Sequence, residues 1–435
     1  MHRAESDPAR ARAATGTTWR PLLDGRDRER ALDAAEQIAA ALVEELDATA
    51  TAHPAITSHV ALLTHYLGLA TGRVSALATA ERLLERAIDG VGEGDLSAGL
   101  HGGLTGVAWV IAHVGGHAPD PLEVEEGDAV DSLDEALLEE LAAHESWTGD
   151  FDVVSGLVGI GVYGLERRRL PGGRELARRV VHHLGRLARW SERGAAFWRP
   201  PGFLGPELRD VYPAGCFDLG LAHGSAGVIA WLADLHRASL ADDGASHLLD
   251  GCVRWLLGHR VDGGPGSLFP SHVGADGLAK PARFAWCYGD PGVALALYKA
   301  AGVRQDAGWR DIALEVGRRA ARFSHEEEHV ADPALCHGAL GLAHMYNRMW
   351  QASGDGDFAT AARSWCARGL AIGEPLGGLS AYRESSPADV PRPDAGLIDE
   401  GSLLGGRAGM GLALLAAATA VEPGWDDLLL LATGS

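Results

Sequence analysis

Six apolar runs of helical length recur along the chain, each opening on the pattern Gly-x-x-Gly. They read GLTGVAWVIAHV from Gly103, GLVGIGVYGL from Gly156, GSAGVIAWLADL from Gly224, GDPGVALALYKA from Gly289, GALGLAHMYNRM from Gly338 and GRAGMGLALLAA from Gly406. Apolar runs of this length predict buried helices. Between them lie more charged stretches: Asp134 to Ala143, Arg174 to Trp190, His247 to Leu257, Trp309 to Arg322 and Phe358 to Leu370. Their composition fits helices that keep one side in solvent. The first glycines stand 49 to 68 residues apart, which leaves room in each unit for one further helix and two connections.

This alternation predicts an all-α fold, an α/α toroid with six inner and six outer helices and loop insertions. Closing the ring leaves no exposed end to cap, unlike an open solenoid. Each glycine pair lets backbone approach closely at the mouth of an inner helix, where a side chain would crowd the neighbouring unit. The glycines therefore mark one end of the barrel. Length alone suggests about three domains, but the repeats favour one, over residues 26–435, behind a flexible segment at 1–25. Helix-competent residues Asp27 to Asp47 and Ser58 to Val91 precede the first repeat and are expected to pack on its outside. Arg193 to Phe217 and Pro375 to Asp394, rich in Gly, Pro and aromatic or polar residues, read as long loops or small insertions.

Composition changes this picture little. Hydrophobic residues at 46% and charged residues at 22% suit a soluble globular protein. A formal charge of -21 disfavours generic attraction to nucleic acid or an anionic membrane. Met1 to Ala14 lacks the apolar core of a signal peptide, so a cytoplasmic protein is expected. Leu403 to Val421 is the most membrane-like stretch, yet it contains Arg407 and several glycines and reads as an inner helix rather than a span. Five cysteines, Cys216, Cys252, Cys287, Cys336 and Cys366, form an odd set that argues against a disulfide framework.

Aligning the units on their first glycine gathers the candidate chemistry. Cys287 and Cys336 each stand two residues before a repeat glycine, His223 and His337 one before, and Asp152 four before. All are expected at the same barrel end. Two thiolates and an imidazole converging there could bind zinc and leave a fourth position open, as catalytic sites do. No short Cys-x-x-Cys is present, and buried or incidental cysteines are the competing reading.

LAHGSAG at Leu221 to Gly227, RFAWCYGDPG at Arg283 to Gly292 and LCHGALGLA at Leu335 to Ala343 resemble the three signature motifs of the lanthionine synthetase C-like family. They occur in the family's order, and the resemblance covers about residues 90 to 420. It implies an α/α toroid whose zinc is held by Cys287, Cys336 and His337. It also implies catalytic or supporting roles for His223, Arg283, Tyr288 and an aspartate of the second repeat, matched by Asp152 with Asp150 as the competing choice. The activity implied is that of a free-standing class I lanthipeptide cyclase. A peptide cysteine thiol adds to dehydroalanine or dehydrobutyrine and closes a (methyl)lanthionine thioether ring. The substrate would be a dehydrated precursor peptide, and a separate dehydratase and a transporter are the implied partners.

The chemistry asks for these residue types. A free cysteine has a pKa near 8.5, and only its thiolate adds. Zinc with an open position favours that deprotonation. The enolate formed must be protonated at its α-carbon, a task suited to His223. Arg283 could stabilise the enolate charge or fix Asp152 by a salt bridge. Bland readings stand beside these: helix capping for Asp152, barrel-wall packing for Trp286 and Tyr288, and structural roles for Cys216, Cys252, Cys366, His101 and His344. Three other functions share parts of the pattern: addition of glutathione or another small thiol to dehydrated proteins, a non-catalytic zinc-stabilised peptide-binding scaffold, and another toroid enzyme such as a glycosidase. The last requires paired carboxylates and leaves the cysteines unexplained.

Overall fold

The computed structural model describes residues 19–49, 52–92, 96–116, 130–261, 266–323, 330–383 and 400–434. All six glycine-led runs are inner helices: α4 (Leu104–Gly115), α6 (Leu157–Glu166), α9 (Ser225–Arg237), α11 (Asp290–Arg304), α13 (Ala339–Ser353) and α15 (Arg407–Ala418). The α/α toroid is as expected, but its count differs. A seventh inner helix, α2 (Pro54–Thr71), packs between α15 and α4 and closes the ring, with every residue from Pro54 to Gly68 buried. It was expected on the outside. No Gly-x-x-Gly opens it, so the repeat signal passes it by, although an apolar surface on all sides belongs to a covered helix.

The outer layer is α1 (Gly25–Asp47), α3 (Val74–Val91), α5 (Asp131–Ala143), α7 (Pro171–Leu187), α10 (Asp243–Leu257), α12 (Ala307–Ala321) and α14 (Gly356–Gly373). Each of α3, α7, α10, α12 and α14 packs on the inner helix just before it, while α1 covers α15, so the chain's first helix completes its last unit. Arg407 of α15, fully buried, is neutralised there by Glu45 of α1 and donates to Ser380 O at 2.7 Å. Among the described residues no helix is long and apolar enough to cross a membrane.

Backbone hydrogen bonds join successive mouths at equivalent positions. His101 N donates to Val154 O at 3.1 Å, Val153 N to Ala222 O at 3.1 Å, Leu221 N to Cys287 O at 3.0 Å, Trp286 N to Cys336 O at 3.0 Å and Cys336 N to Leu404 O at 2.9 Å. The second glycine of each pair makes room for this belt. A Cβ on Gly106, Gly341 or Gly409 would sit 1.9 Å from the carbonyl oxygen of Leu100, Leu335 or Leu403. The crowding therefore comes first from the unit's own incoming loop, and from the neighbouring unit only second. Gly106→Ala is expected to destabilise the protein by more than about 1 kcal/mol despite alanine's better helix propensity. In the same helix nothing lies within 4 Å of a Cβ on Gly115, so Gly115→Ala is expected to stabilise by up to about 1 kcal/mol. Chemical denaturation of the two variants checks both signs.

The C-terminal segment fills the toroid's axis. Trp425, Leu428, Leu429, Leu430 and Leu431 are buried, and Asp426 receives His344 Nε2 and Arg348 Nε at 2.6 Å each. Trp286 Nε1 donates to Leu429 O at 2.9 Å, His101 Nε2 to Leu428 O at 3.1 Å and Lys299 Nζ to Leu430 O at 2.7 Å. This segment thus forms the floor of the mouth, and His101 and His344 serve to hold it.

The insertion expected as loop at 193–217 contains strands. A hairpin of β1 (Arg189–Ser191) and β2 (Gly194–Ala196) leads to an antiparallel sheet in the order β3 (Trp198–Arg199), β4 (Cys216–Asp218), β5 (His272–Gly274), β6 (Ala279–Lys280). A short helix, α8 (Pro206–Val211), lies between β3 and β4. Strands of two or three residues are too short to show an alternating pattern. At the start of the second expected insertion, Glu374–Leu376 and Leu379–Ala381 are single 3-10 turns, and residues 384–394 lie outside the described residues. Of the segment expected to be flexible, residues 1–18 lie outside the described residues, while Trp19, Leu22 and Leu23 are buried against α15.

Candidate active site

The loop before each inner helix folds beneath its own helix start, which turns the residues just ahead of the repeat glycine toward the mouth. Cys287 and Cys336 meet there as free thiols joined by a hydrogen bond. The hydrogen bond from Cys336 brings the Cys287 thiol down to about 7; burial opposes this, and Arg283, with Nη2 at 4.0 Å from Sγ, adds to it. The Cys336 thiol is pushed up, because it supplies the shared proton. His337 follows at once in the chain, its Nε2 3.6 Å from Asp332 Oδ2, and burial holds its imidazole toward the neutral form. By contrast burial pushes the thiols of Cys216 and Cys366 up to about 12, and that of Cys252 higher still, as suits cysteines of the core.

Two thiols and an imidazole backed by a carboxylate form a donor set that suits zinc, since a ligating histidine commonly holds its other ring nitrogen against such a group. Among the described residues no three such side chains already stand close enough to hold an ion between them. The donor chemistry fits.

Across the mouth, His223 Nδ1 is hydrogen-bonded to Asp152 Oδ2, while Asp152 Oδ1 accepts from Ser155 N at 2.8 Å. Helix capping is not what Asp152 does: the N-cap of α6 is Gly156 without a side-chain cap hydrogen bond, and Ser155 lies in the loop before it. Burial works against the charge on His223, but the adjoining Asp152 carboxylate outweighs it and holds the imidazole above its ordinary value. Burial likewise opposes ionisation of Asp152, and His223 with Arg199 brings it below the usual range.

Asp150, the competing choice, is close by but differently employed: its Oδ2 accepts from Arg199 Nη2 at 2.5 Å. Burial, then the neighbouring Asp152, raises its carboxyl. Tyr288 donates from its hydroxyl to Asp218 Oδ2 at 3.2 Å, and burial followed by that carboxylate pushes its phenol up. Asp218 also takes His272 Nε2 at 3.2 Å; burial opposes its charge, but His272 and Arg199 hold it at about 2.

The arginine beside Asp152 is therefore Arg199, with Nη2 at 3.8 Å from Oδ2, whereas Arg283 stands against Cys287. Of the two roles open to Arg283, the salt bridge to Asp152 is not the one its position favours. Sequence reasoning missed Arg199, Asp218 and His272. Asp218 had a signal: it stands six residues before Gly224, as Asp150 stands six before Gly156. Arg199 and His272 lie in the inserted strands, outside any repeat position.

Comparison with known proteins agrees with the fold. Residues 58–430 match the model of the family described as Lanthionine synthetase C-like protein. The nisin biosynthesis protein NisC of Lactococcus lactis subsp. lactis is 26% identical over 203 residues, which cover 44% of this chain and 47% of NisC. The chain thus aligns with about half the length of that relative. The solved structure of a nisin cyclase is similar with a TM-score of 0.72 and 19% identity, over 91% of this chain and 96% of that one. At that identity the likeness is one of fold.

Proposed function

Because the chain belongs to the lanthionine synthetase C-like family, whose model spans residues 58–430, we propose that it is a lanthipeptide cyclase. It adds the cysteine thiol of a dehydrated precursor peptide to dehydroalanine or dehydrobutyrine. The observation that carries this reading is the meeting, at one barrel mouth, of a thiol pair lowered at Cys287 with a His223–Asp152 pair whose carboxylate is buried and whose imidazole is partly exposed. NisC, by its name, takes part in nisin biosynthesis, and a nisin cyclase shares the fold; both support the same product class.

Cys287, Cys336 and His337 would hold zinc. When bound there, zinc would supply Lewis-acid chemistry that favours loss of the substrate thiol's proton. Arg283 keeps positive charge beside the sulfurs, which stabilises anionic charge as the addition proceeds. The new bond joins the substrate sulfur to the β-carbon, and the alkene electrons pass to the carbonyl as an enolate. His223 delivers a proton to the α-carbon, and Asp152 fixes the ring by its Nδ1 so that Nε2 faces the substrate. Tyr288, tied to Asp218, lines the same wall. A dehydratase must act on the peptide first. We place the reaction in the cytoplasm, where the substrate thiol stays reduced.

Ring closure is an isomerisation. The test incubates the protein with a dehydrated, cysteine-containing peptide and excess glutathione. The expected product has unchanged mass and no alkylatable thiol. A peptide heavier by one glutathione would favour the small-thiol reading instead.

The pH profile tests the proton donor. A raised His223 stays protonated above about 6.5, the ordinary histidine value, so activity is expected to hold below its shifted pKa and to fall as pH rises through it. Asp152→Asn removes the carboxylate that raises it. That variant should therefore move the alkaline limb of kcat to lower pH, and an unmoved limb would exclude His223 as the donor.

A further inference from the structure

Arg199 belongs to no repeat, and no motif includes it, yet the carboxylates of the mouth are arranged around it. Its Nη2 lies 2.5 Å from Asp150 Oδ2 and 3.8 Å from Asp152 Oδ2, its Nη1 lies 3.7 Å from Asp218 Oδ2, and its side chain is 8% exposed. Asp152 carries His223, while Asp218 carries His272 and the Tyr288 hydroxyl. Two histidine–carboxylate pairs and a third carboxylate thus converge on one guanidinium. That guanidinium is fixed from behind: Arg199 sits on β3, paired with Cys216 of β4, and its Nη2 also donates to Phe203 O at 3.1 Å.

We propose that Arg199 is a positioning residue, through which the inserted sheet sets the geometry of the His223–Asp152 pair. This rests on the reading of the mouth as the cyclisation site. The physical need is plain. Three carboxylates this close, buried and without a cation, repel one another and cannot all remain ionised. A planar fork can face several carboxylates in fixed directions, whereas an ammonium is a point charge without that directionality. Arg199 thereby holds the three carboxylates in one arrangement and, after His223, helps keep Asp152 ionised, and the Asp152 oxygen in turn orients the His223 ring. The insertion then supplies part of the catalytic geometry.

The test measures kcat, KM, metal content and thermal unfolding of the full-length protein. Arg199→Met alone takes the shared cation from three buried carboxylates and leaves Asp150 without its ion-pair partner, so the informative variant is Arg199→Met/Asp150→Asn, which removes one charge of each sign. With zinc content unchanged, its kcat is expected to fall on the order of 100-fold and its KM to stay within about 2-fold, since a displaced proton donor costs turnover rather than ground-state binding. Arg199→Lys, which keeps the charge without the fork, is expected to recover part of that loss.

A folded double variant with wild-type kcat would overturn the proposal, as would a raised KM at unchanged kcat, which marks a direct substrate contact. Should the double variant not fold, Arg199→Lys decides: a kcat lowered about 10-fold or more supports the role, and wild-type kcat refutes it. A wild-type protein that closes no rings would instead refute the proposed function itself.

Discussion

Cys336→Ala is expected to lose bound zinc and to lower ring formation by more than about 100-fold, beyond the 10- to 100-fold typical of losing an outer-shell partner of a metal ligand. Two effects coincide in this variant. It removes one of the three proposed donors, and it removes the hydrogen bond that brings the Cys287 thiol down to about 7. Cys287 should then alkylate as a thiol of higher pKa, nearer the ordinary value of about 8.5 or above, because its largest lowering influence is gone and burial then works against only Arg283 and His223. Cys366→Ala is the control. That thiol is buried in α14, far from the mouth in the repeat alignment, and its loss should cost stability alone. Metal analysis with iodoacetamide kinetics separates the cases. Full metal content in Cys336→Ala would remove this cysteine from the donor set.

His223→Ala should behave differently. Metal content is expected to stay, while kcat falls by about 10² to 10⁴, the usual contribution of a positioned acid or base. The imidazole is half-buried at the mouth, and its Nδ1 is already committed to Asp152. Truncation leaves the Asp152 carboxylate facing Arg199 alone, so a modest loss of stability accompanies the kinetic effect. Loss of metal from His223→Ala would mark His223 as a ligand and would reassign the proton donor.

The repeat glycines made the inner ring legible because their requirement is local: each admits a carbonyl oxygen that a Cβ would strike. The same alignment placed Cys287, Cys336, His337, His223 and Asp152 at one mouth, and the five do lie on loops joined by the hydrogen-bonded belt. Carried back to the sixth residue before each glycine, it would have reached Asp218 as well. Helix α2 escaped because it closes the ring without a glycine opening, its first turn being set by Pro54 instead. Arg199 and His272 escaped for a different reason. They reach the mouth through strands of two and three residues, β3 pairing with β4 (Arg199 with Cys216) and β5 pairing with β4 across more than 50 residues (His272 with Asp218), and no local periodicity encodes those contacts.

The central claim is that the thiol pair at this mouth works with bound zinc to add a peptide thiol to a dehydrated residue. It is tested most directly by ring formation with metal-stripped protein, before and after zinc is restored. The account predicts that the stripped protein leaves the peptide thiol open to alkylation, and that added zinc restores a product of unchanged mass with no free thiol. Full ring formation by protein shown to contain no metal would contradict it.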